Sequence, residues 1–285
     1  MFVDASFQNL PQSKRSSSDV VGWAKNQFAT VKFLLVCAFF VSCSGQMDPL
    51  LQKANEEWIQ GRNHSAIKIF NKVLENYPSG IQAEEALFRL GEIYHFSLNN
   101  STQALVYFQE VLQMNRLGQF GYPAQKYIAE IVEFGLKDYD QAIIEHQKLI
   151  NQYGHKNENE NHQYLIASIY YKKQNYEQAL VELNILLDNY PRSSWAEKTK
   201  FKKIEILYAL SRCTEAREQY RHFKLKYEES RFKKDIDFIV ASCLEEEGHL
   251  QEAFNRFKAL EGRYIYPVVL KMKLVGIEKR MQKKH

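Results

Sequence analysis

The feature that most constrains this chain is a period. A small Ala followed four residues later by a larger residue recurs six times, as Ala66/Phe70, Ala104/Phe108, Ala142/His146, Ala179/Leu183, Ala216/Tyr220 and Ala253/Phe257. The steps between these alanines are 38, 38, 37, 37 and 37 residues. Tyr77, Tyr153, Tyr190, Tyr227 and Tyr264 each lie eleven residues after the Ala, and Asn115 takes that place in the second copy. A fixed period of this length marks stacked supersecondary units, each too small to bury its apolar face alone.

Each unit reads as two helices. In the fourth, Tyr164, Ala167 and Tyr171 share a face with Ile166 and Tyr170, at helical spacings of three and four. A polar turn follows. Ala179, Leu180, Leu183, Leu186 and Leu187 then give a second face, which Asn189-Tyr190-Pro191 ends. Only 12 Gly and 6 Pro occur in 285 residues, too few for the many turns of an all-β fold. A coiled coil is excluded as well, since it needs a heptad seam rather than a 37-residue period.

Leu90-Gly91 with Tyr94, then Ala104 and Phe108, resembles the tetratricopeptide repeat. That resemblance implies an all-α solenoid of about six helix-turn-helix repeats over 48–266, closed by a basic capping helix over 267–285. In the family the small residue of the first helix lets two helices approach, and the aromatic of the second plugs the gap. One inserted residue is expected in the turn Ser97-Leu98-Asn99-Asn100. Glu130 and Ile204 stand at the small position in repeats three and five, where looser or shifted packing is expected.

The front of the chain has a different character. Residues 33–41, FLLVCAFFV, form a short apolar run after Lys32 that ends at Ser42-Cys43. It is far shorter than the ~20 residues that span a bilayer and reads as a secretory signal peptide. Val41-Ser42-Cys43 resembles the lipobox of bacterial lipoproteins, with Phe40 a departure from the usual Leu, Val or Ile. The resemblance implies removal of 1–42, lipidation of Cys43 and a short tether over 43–47. Ser44 after the Cys implies an address at the periplasmic face of the outer membrane. The linkers at Tyr77-Pro78 and Tyr190-Pro191 are similar in style to those of two envelope families, the BamD outer-membrane assembly lipoproteins and the CpoB proteins that work with Tol–Pal.

No phosphate-binding glycine loop, dinucleotide fingerprint, nucleophile elbow or paired-His zinc motif is present. The chain is therefore read as a non-enzymatic scaffold without cofactor or metal. The polar stretch 154–163, GHKNENENHQ, is read as a solvated linker in preference to a metal site. Cys213 and Cys243 are read as unpaired, although an oxidising periplasm permits a disulfide. Net charge is +4, too weak to imply nucleic acid. It divides into a mildly acidic body and a basic end, since 268–285 holds six Lys/Arg against one Glu. That end is read as the solvated face of the cap, with anionic lipid or an acidic protein surface as the alternative.

With the Ala of each pair as position 20, positions 5 and 12 of the first helices carry mostly aromatics. The candidate peptide-binding groove is Phe88, Tyr127, Phe134, Tyr164, Tyr171, Phe201, Tyr208 and Phe238. Rigid rings with polar tips suit peptide capture, although rings at these positions also pack between repeats. Glu92, Lys172, Lys198 and Glu205 are candidates for polar contacts along the same face. The expected partner is a peptide or helix of another protein. A β-barrel assembly component is the most concrete version, and a CpoB-like role in cell-wall synthesis and constriction is the alternative.

Overall fold

The computed structural model describes residues 48–153 and 156–283. These form thirteen helices and no strand. The first helices of the six repeats are α1 (Pro49–Ile59), α3 (Ile81–Glu92), α5 (Gly121–Glu130), α7 (Lys156–Lys172), α9 (Ala196–Ala209) and α11 (Lys233–Glu246). The second helices are α2 (Asn63–Asn76), α4 (Ser101–Asn115), α6 (Tyr139–Gln152), α8 (Tyr176–Asn189), α10 (Cys213–Lys226) and α12 (Leu250–Ala259). The last helix, α13, spans Pro267–Gln282. Consecutive helices pack against one another throughout, and first helices also touch across repeats, as α9 does α11. The all-α solenoid implied by the period is what forms.

The turn inside each repeat is made the same way six times. Gly61, Asn99, Lys137, Gln174, Ser211 and Gly248 all take positive φ, between 49° and 84°. One left-handed residue ends the first helix, and the next helix starts at once. Asn100, Asp138 and Asn175 cap that next helix by accepting from the backbone N–H of Gln103, Gln141 and Gln178.

The two steps of 38 residues have a common cause. π-helical turns at Ile93–Ser97 and Ile131–Leu136 continue α3 and α5, and each absorbs one extra residue. The insertion expected in the turn at 97–100 thus lies inside the helix. The same turn corrects the register of repeat three. Its small position is Ala129, fully buried, and Glu130 is only half-buried. The series of small residues is therefore Ala54, Gly91, Ala129, Ala167, Ile204 and Ala241, all fully or almost fully buried. At Gly91 the approach is close, because a Cβ there would stand 2.5 Å from the Phe108 ring.

Ile204 is the one real departure, and its repeat has a less buried plug. Phe70, Phe108, His146, Leu183 and Phe257 are all buried, whereas Tyr220 of repeat five is only half-buried. Its hydroxyl reaches Asp237 on α11. Ile204 itself is fully buried and larger than the residue at this place in the other repeats.

Phe70 shares a buried cluster with Ala86 of the following repeat, Phe108 shares one with Ala124, and His146 meets His162 in the same way. A large ring under a small cover gives way, in repeat three, to two facing imidazoles. The part of the polar stretch from 156 to 163 is thus not a solvated linker, because α7 starts at Lys156 and buries Asn159, His162 and Gln163. His146 Nδ1 lies 3.2 Å from His162 Nδ1. His146 Nε2 lies 3.2 Å from Glu133 Oε2, and His162 Nε2 lies 3.1 Å from the Tyr122 hydroxyl. Lys172 Nζ completes the chain, donating to Glu133 Oε1 over 2.7 Å. Glu133, as a carboxylate, can only accept, so His146 donates to it from Nε2, and the Tyr122 hydroxyl lies between His162 and Glu158.

Two further points position the C-terminal repeats. Cys213, at the start of α10, and Cys243, on α11, are joined by a buried disulfide with Cα atoms 5.4 Å apart. The reading of unpaired thiols is corrected. A separation of 30 residues hides a contact made only when repeats five and six stack. On α13, Leu270, Leu274 and Ile277 are buried against the last repeat. Lys273 and Arg280 of its basic face pair with Glu245, at 2.8 and 2.9 Å.

Candidate binding face

The expected groove residues separate into two groups. Those at position 5 pack between repeats. Phe88 lies 5.1 Å from Phe120, Tyr164 stacks on Trp195 at 4.5 Å, and Phe201 stacks on Phe232 at 4.5 Å, centroid to centroid. Phe238 ends the series on Tyr264 at 4.6 Å. Phe120, Trp195 and Phe232 each sit immediately before a first helix, so an aromatic at that point clamps the ring of the preceding repeat. Tyr164, at 5% exposure, and Phe88, at 6%, offer little surface to a partner.

The second group keeps accessible surface. Tyr171 and Tyr208 are half-buried, on successive first helices. The Tyr208 hydroxyl donates to Glu246 over 2.9 Å. Burial, followed by that bond, raises the phenol to about 12 and keeps it protonated. The register correction explains Phe134, which is 59% exposed. It stands one position beyond the expected stripe, and Glu133 takes the place facing inward. Tyr127 is likewise one position along. It stacks on Phe108 at 5.0 Å and donates to Glu92 over 3.2 Å.

Lysines cover these rings. Lys198 Nζ lies 4.5 Å from the Tyr164 centroid and 4.6 Å from that of Trp195. Lys202, one turn further along α9, lies 4.5 Å above Tyr171 and pairs with Glu205 at 2.6 Å. Lys172 lies 5.1 Å above Phe134. Glu92 is buried and held by Arg89 at 2.7 Å, so it is part of the packing. Among the described residues Lys198 has no carboxylate partner. Burial, then the charges of Lys202 and Arg231, lower its pKa. Trp195, Lys202 and Arg231 are additions that the sequence pattern did not single out, because they lie outside positions 5 and 12. Between α7, α9 and α11 the result is a set of rings overlain by lysines, in which, among the described residues, Lys202 is paired with Glu205 and Lys198 is not paired.

Two segments, 85–114 and 163–193, match the family model described as tetratricopeptide repeat. They are the closing part of α3 with α4, and most of α7 with α8. The fold is a tetratricopeptide-repeat solenoid. No curated protein matches the sequence. Among solved structures, Naa15/Naa10 bound to HypK-THB aligns over 81% of this chain at 16% identity, with a TM-score of 0.60. The chain spans 33% of the length of that structure. The apo form of RapI aligns over 89% of this chain and 80% of its own length, at 14% identity and a TM-score of 0.51. PilW, described as a type IV pilus biogenesis factor, aligns over 79% of this chain and 96% of its own, at 14% identity and a TM-score of 0.48. At such identities the first two of these likenesses are ones of fold alone.

No group of three or more His, Cys, Asp and Glu among the described residues is arranged to hold a metal ion. No described helix is long and apolar enough to cross a membrane. Cys43 and the apolar run 33–41 lie outside the described residues.

Proposed function

We propose that this chain is a peptide-binding scaffold of the bacterial cell envelope, lipidated at Cys43 and held at the periplasmic face of the outer membrane. The single observation behind the binding role is the open aromatic and lysine face on repeats three to five. Tyr171, Tyr208 and Phe134 keep exposed ring surface there, and Lys198 keeps an unpaired charge. Rings give contact area at low entropic cost, and a desolvated ammonium favours a segment that carries a carboxylate. The partner is thus an extended or helical peptide with acidic side chains among apolar ones.

Two features support the envelope setting. The lipobox-like Val41-Ser42-Cys43 follows a short apolar run, and the buried Cys213–Cys243 bridge suits an oxidising compartment. With the linker style of Tyr77-Pro78 and Tyr190-Pro191, this favours a role in outer-membrane protein assembly.

The test is crosslinking in cells followed by purification through the chain's own C-terminus. The proposal expects membrane-associated protein that carries β-barrel assembly components, and Cys43→Ser protein that leaves the membrane fraction. Recovery of Tol–Pal or cell-wall factors alone overturns the assembly role. Unchanged membrane association of the Cys43→Ser protein overturns the lipid anchor.

A further inference from the structure

The half-buried plug of repeat five, Tyr220, borders a cavity. Tyr220 on α10, Asp237 on α11 and Leu260 just after α12 bound a pocket of about 360 Å³. The rest of its wall is mainly cationic, with Lys224 from α10, Lys233 and Lys234 from α11, and Arg256 and Arg263 from α12 and just beyond it. Five cations face one carboxylate, and that carboxylate is engaged by the Tyr220 hydroxyl. Arg256 shares its charge with Glu252 at 3.3 Å. Lys224, Lys233, Lys234 and Arg263 form no ion pair among the described residues.

Two physical facts make this more than a solvated charged face. Like charges gathered in a concavity repel more strongly than on an open surface, since low-dielectric walls focus the field. Lys233 and Lys234 also open α11, at the end where the helix dipole favours anions and disfavours cations. Phe232, at the N-cap, supplies no side-chain bond to the first turn, in which Asp235 is the acidic residue. Each term is unfavourable with the pocket empty and is reversed by a bound anion. Mixed Arg and Lys donors around one cavity match tetrahedral oxyanions. The volume is far too small for a helix about 10 Å across.

We propose that this pocket binds a phosphate-bearing group, a phosphate monoester or diphosphate, with Lys224, Lys233, Lys234, Arg256 and Arg263 as its donors. Tyr220 sets the floor and holds Asp237 away from the anion. Repeat five differs from the others in having the branched, fully buried Ile204 at the small position and a half-buried Tyr220 as its plug. The same chemistry is offered by a soluble phosphorylated metabolite and by a phospholipid headgroup.

Isothermal titration of the folded chain with inorganic pyrophosphate at low salt tests the site. Lys234→Gln with Arg256→Gln removes two donors. Lys271→Gln with Lys279→Gln removes the same charge from exposed positions on α13, outside the pocket. The pocket variant is expected to bind pyrophosphate at least about tenfold more weakly, from the loss of charge-assisted bonds. The α13 variant is expected to bind like the parent. Equal weakening in both variants, or no binding by the parent, overturns the assignment. Helical circular dichroism unchanged in both confirms that folding is not the cause. Phosphatidic acid vesicles, which present a phosphate monoester, identify a headgroup if they displace pyrophosphate, and a soluble phosphate if they do not.

Discussion

The facing imidazoles of repeats three and four make stability depend on acid in a defined window. An unfolded histidine titrates near 6.5, whereas burial, and then the neighbouring His146, push His162 down to about 4. Above 6.5 His162 is neutral in both states and adds no pH dependence. As pH falls from 6.5 towards 4, the unfolded chain takes up a proton that the folded chain excludes. Stability is therefore lost across that window and the loss levels off below it. The gap corresponds to about 3 kcal/mol at saturation and about 2 kcal/mol by pH 5. The groups facing His162 are His146, Tyr122, Glu158 and Lys126. Burial acts to raise the carboxyl of Glu133, but its bonds to His146 and Lys172 outweigh this and hold it below the usual range, so its own loss comes at lower pH. His146→Phe with His162→Ala rebuilds the ring-and-cover pair of Phe70/Ala86 and Phe108/Ala124 and removes the titrating site. Glu133 keeps Lys172, and Tyr122 keeps Glu158. Urea unfolding at pH 7.5 and pH 5.0 reads the difference. The parent is expected to lose about 2 kcal/mol more than the double variant between the two pH values. Equal losses to within about 0.5 kcal/mol would show that His162 is not held neutral by this junction.

Three other perturbations probe the packing. Gly91→Ala puts a methyl against the Phe108 ring and is expected to cost about 1–3 kcal/mol, read as a lower urea midpoint at unchanged slope. Lys137→Gly relieves a left-handed residue at φ 57° in an exposed turn and is expected to raise the melting temperature, by about 0.5–1 kcal/mol of stability. Cys213→Ser with Cys243→Ser opens a loop spanning 30 residues and is expected to cost about 3–4 kcal/mol, with a reductant lowering the parent's melting temperature and leaving the variant's unchanged.

The repeat architecture was legible because one steric pair, a small residue in the first helix and a plug in the second, recurs at nearly constant spacing. What escaped the pattern has physical reasons. An added residue looks the same in sequence whether it lengthens a turn or widens a helix. The π turns at Ile93–Ser97 and Ile131–Leu136 therefore hid the register that puts Ala129, not Glu130, in the helix junction. Residues 156–163 are too polar to suggest a buried helix start, yet His162 is buried because its partner His146 stands at a plug position. The aromatic series was visible, but its division was not. Whether a ring packs or faces outward depends on the aromatic before the next helix, such as Trp195 over Tyr164. That contact is set by stacking between repeats, not by spacing within one.

The central claim is that the face around Tyr171, Tyr208 and Lys198 carries partner binding. The most direct measurement is the affinity of the crosslinked partner's segment for the parent, for Tyr171→Ala with Tyr208→Ala, and for Lys198→Gln. All three positions retain solvent-exposed surface. The account predicts a loss of at least about tenfold for the paired Tyr variant, and a smaller, salt-dependent loss for Lys198→Gln, with helical content and melting behaviour kept. Unchanged affinity in both variants, with the proteins folded, would contradict it and move the binding surface elsewhere on the solenoid.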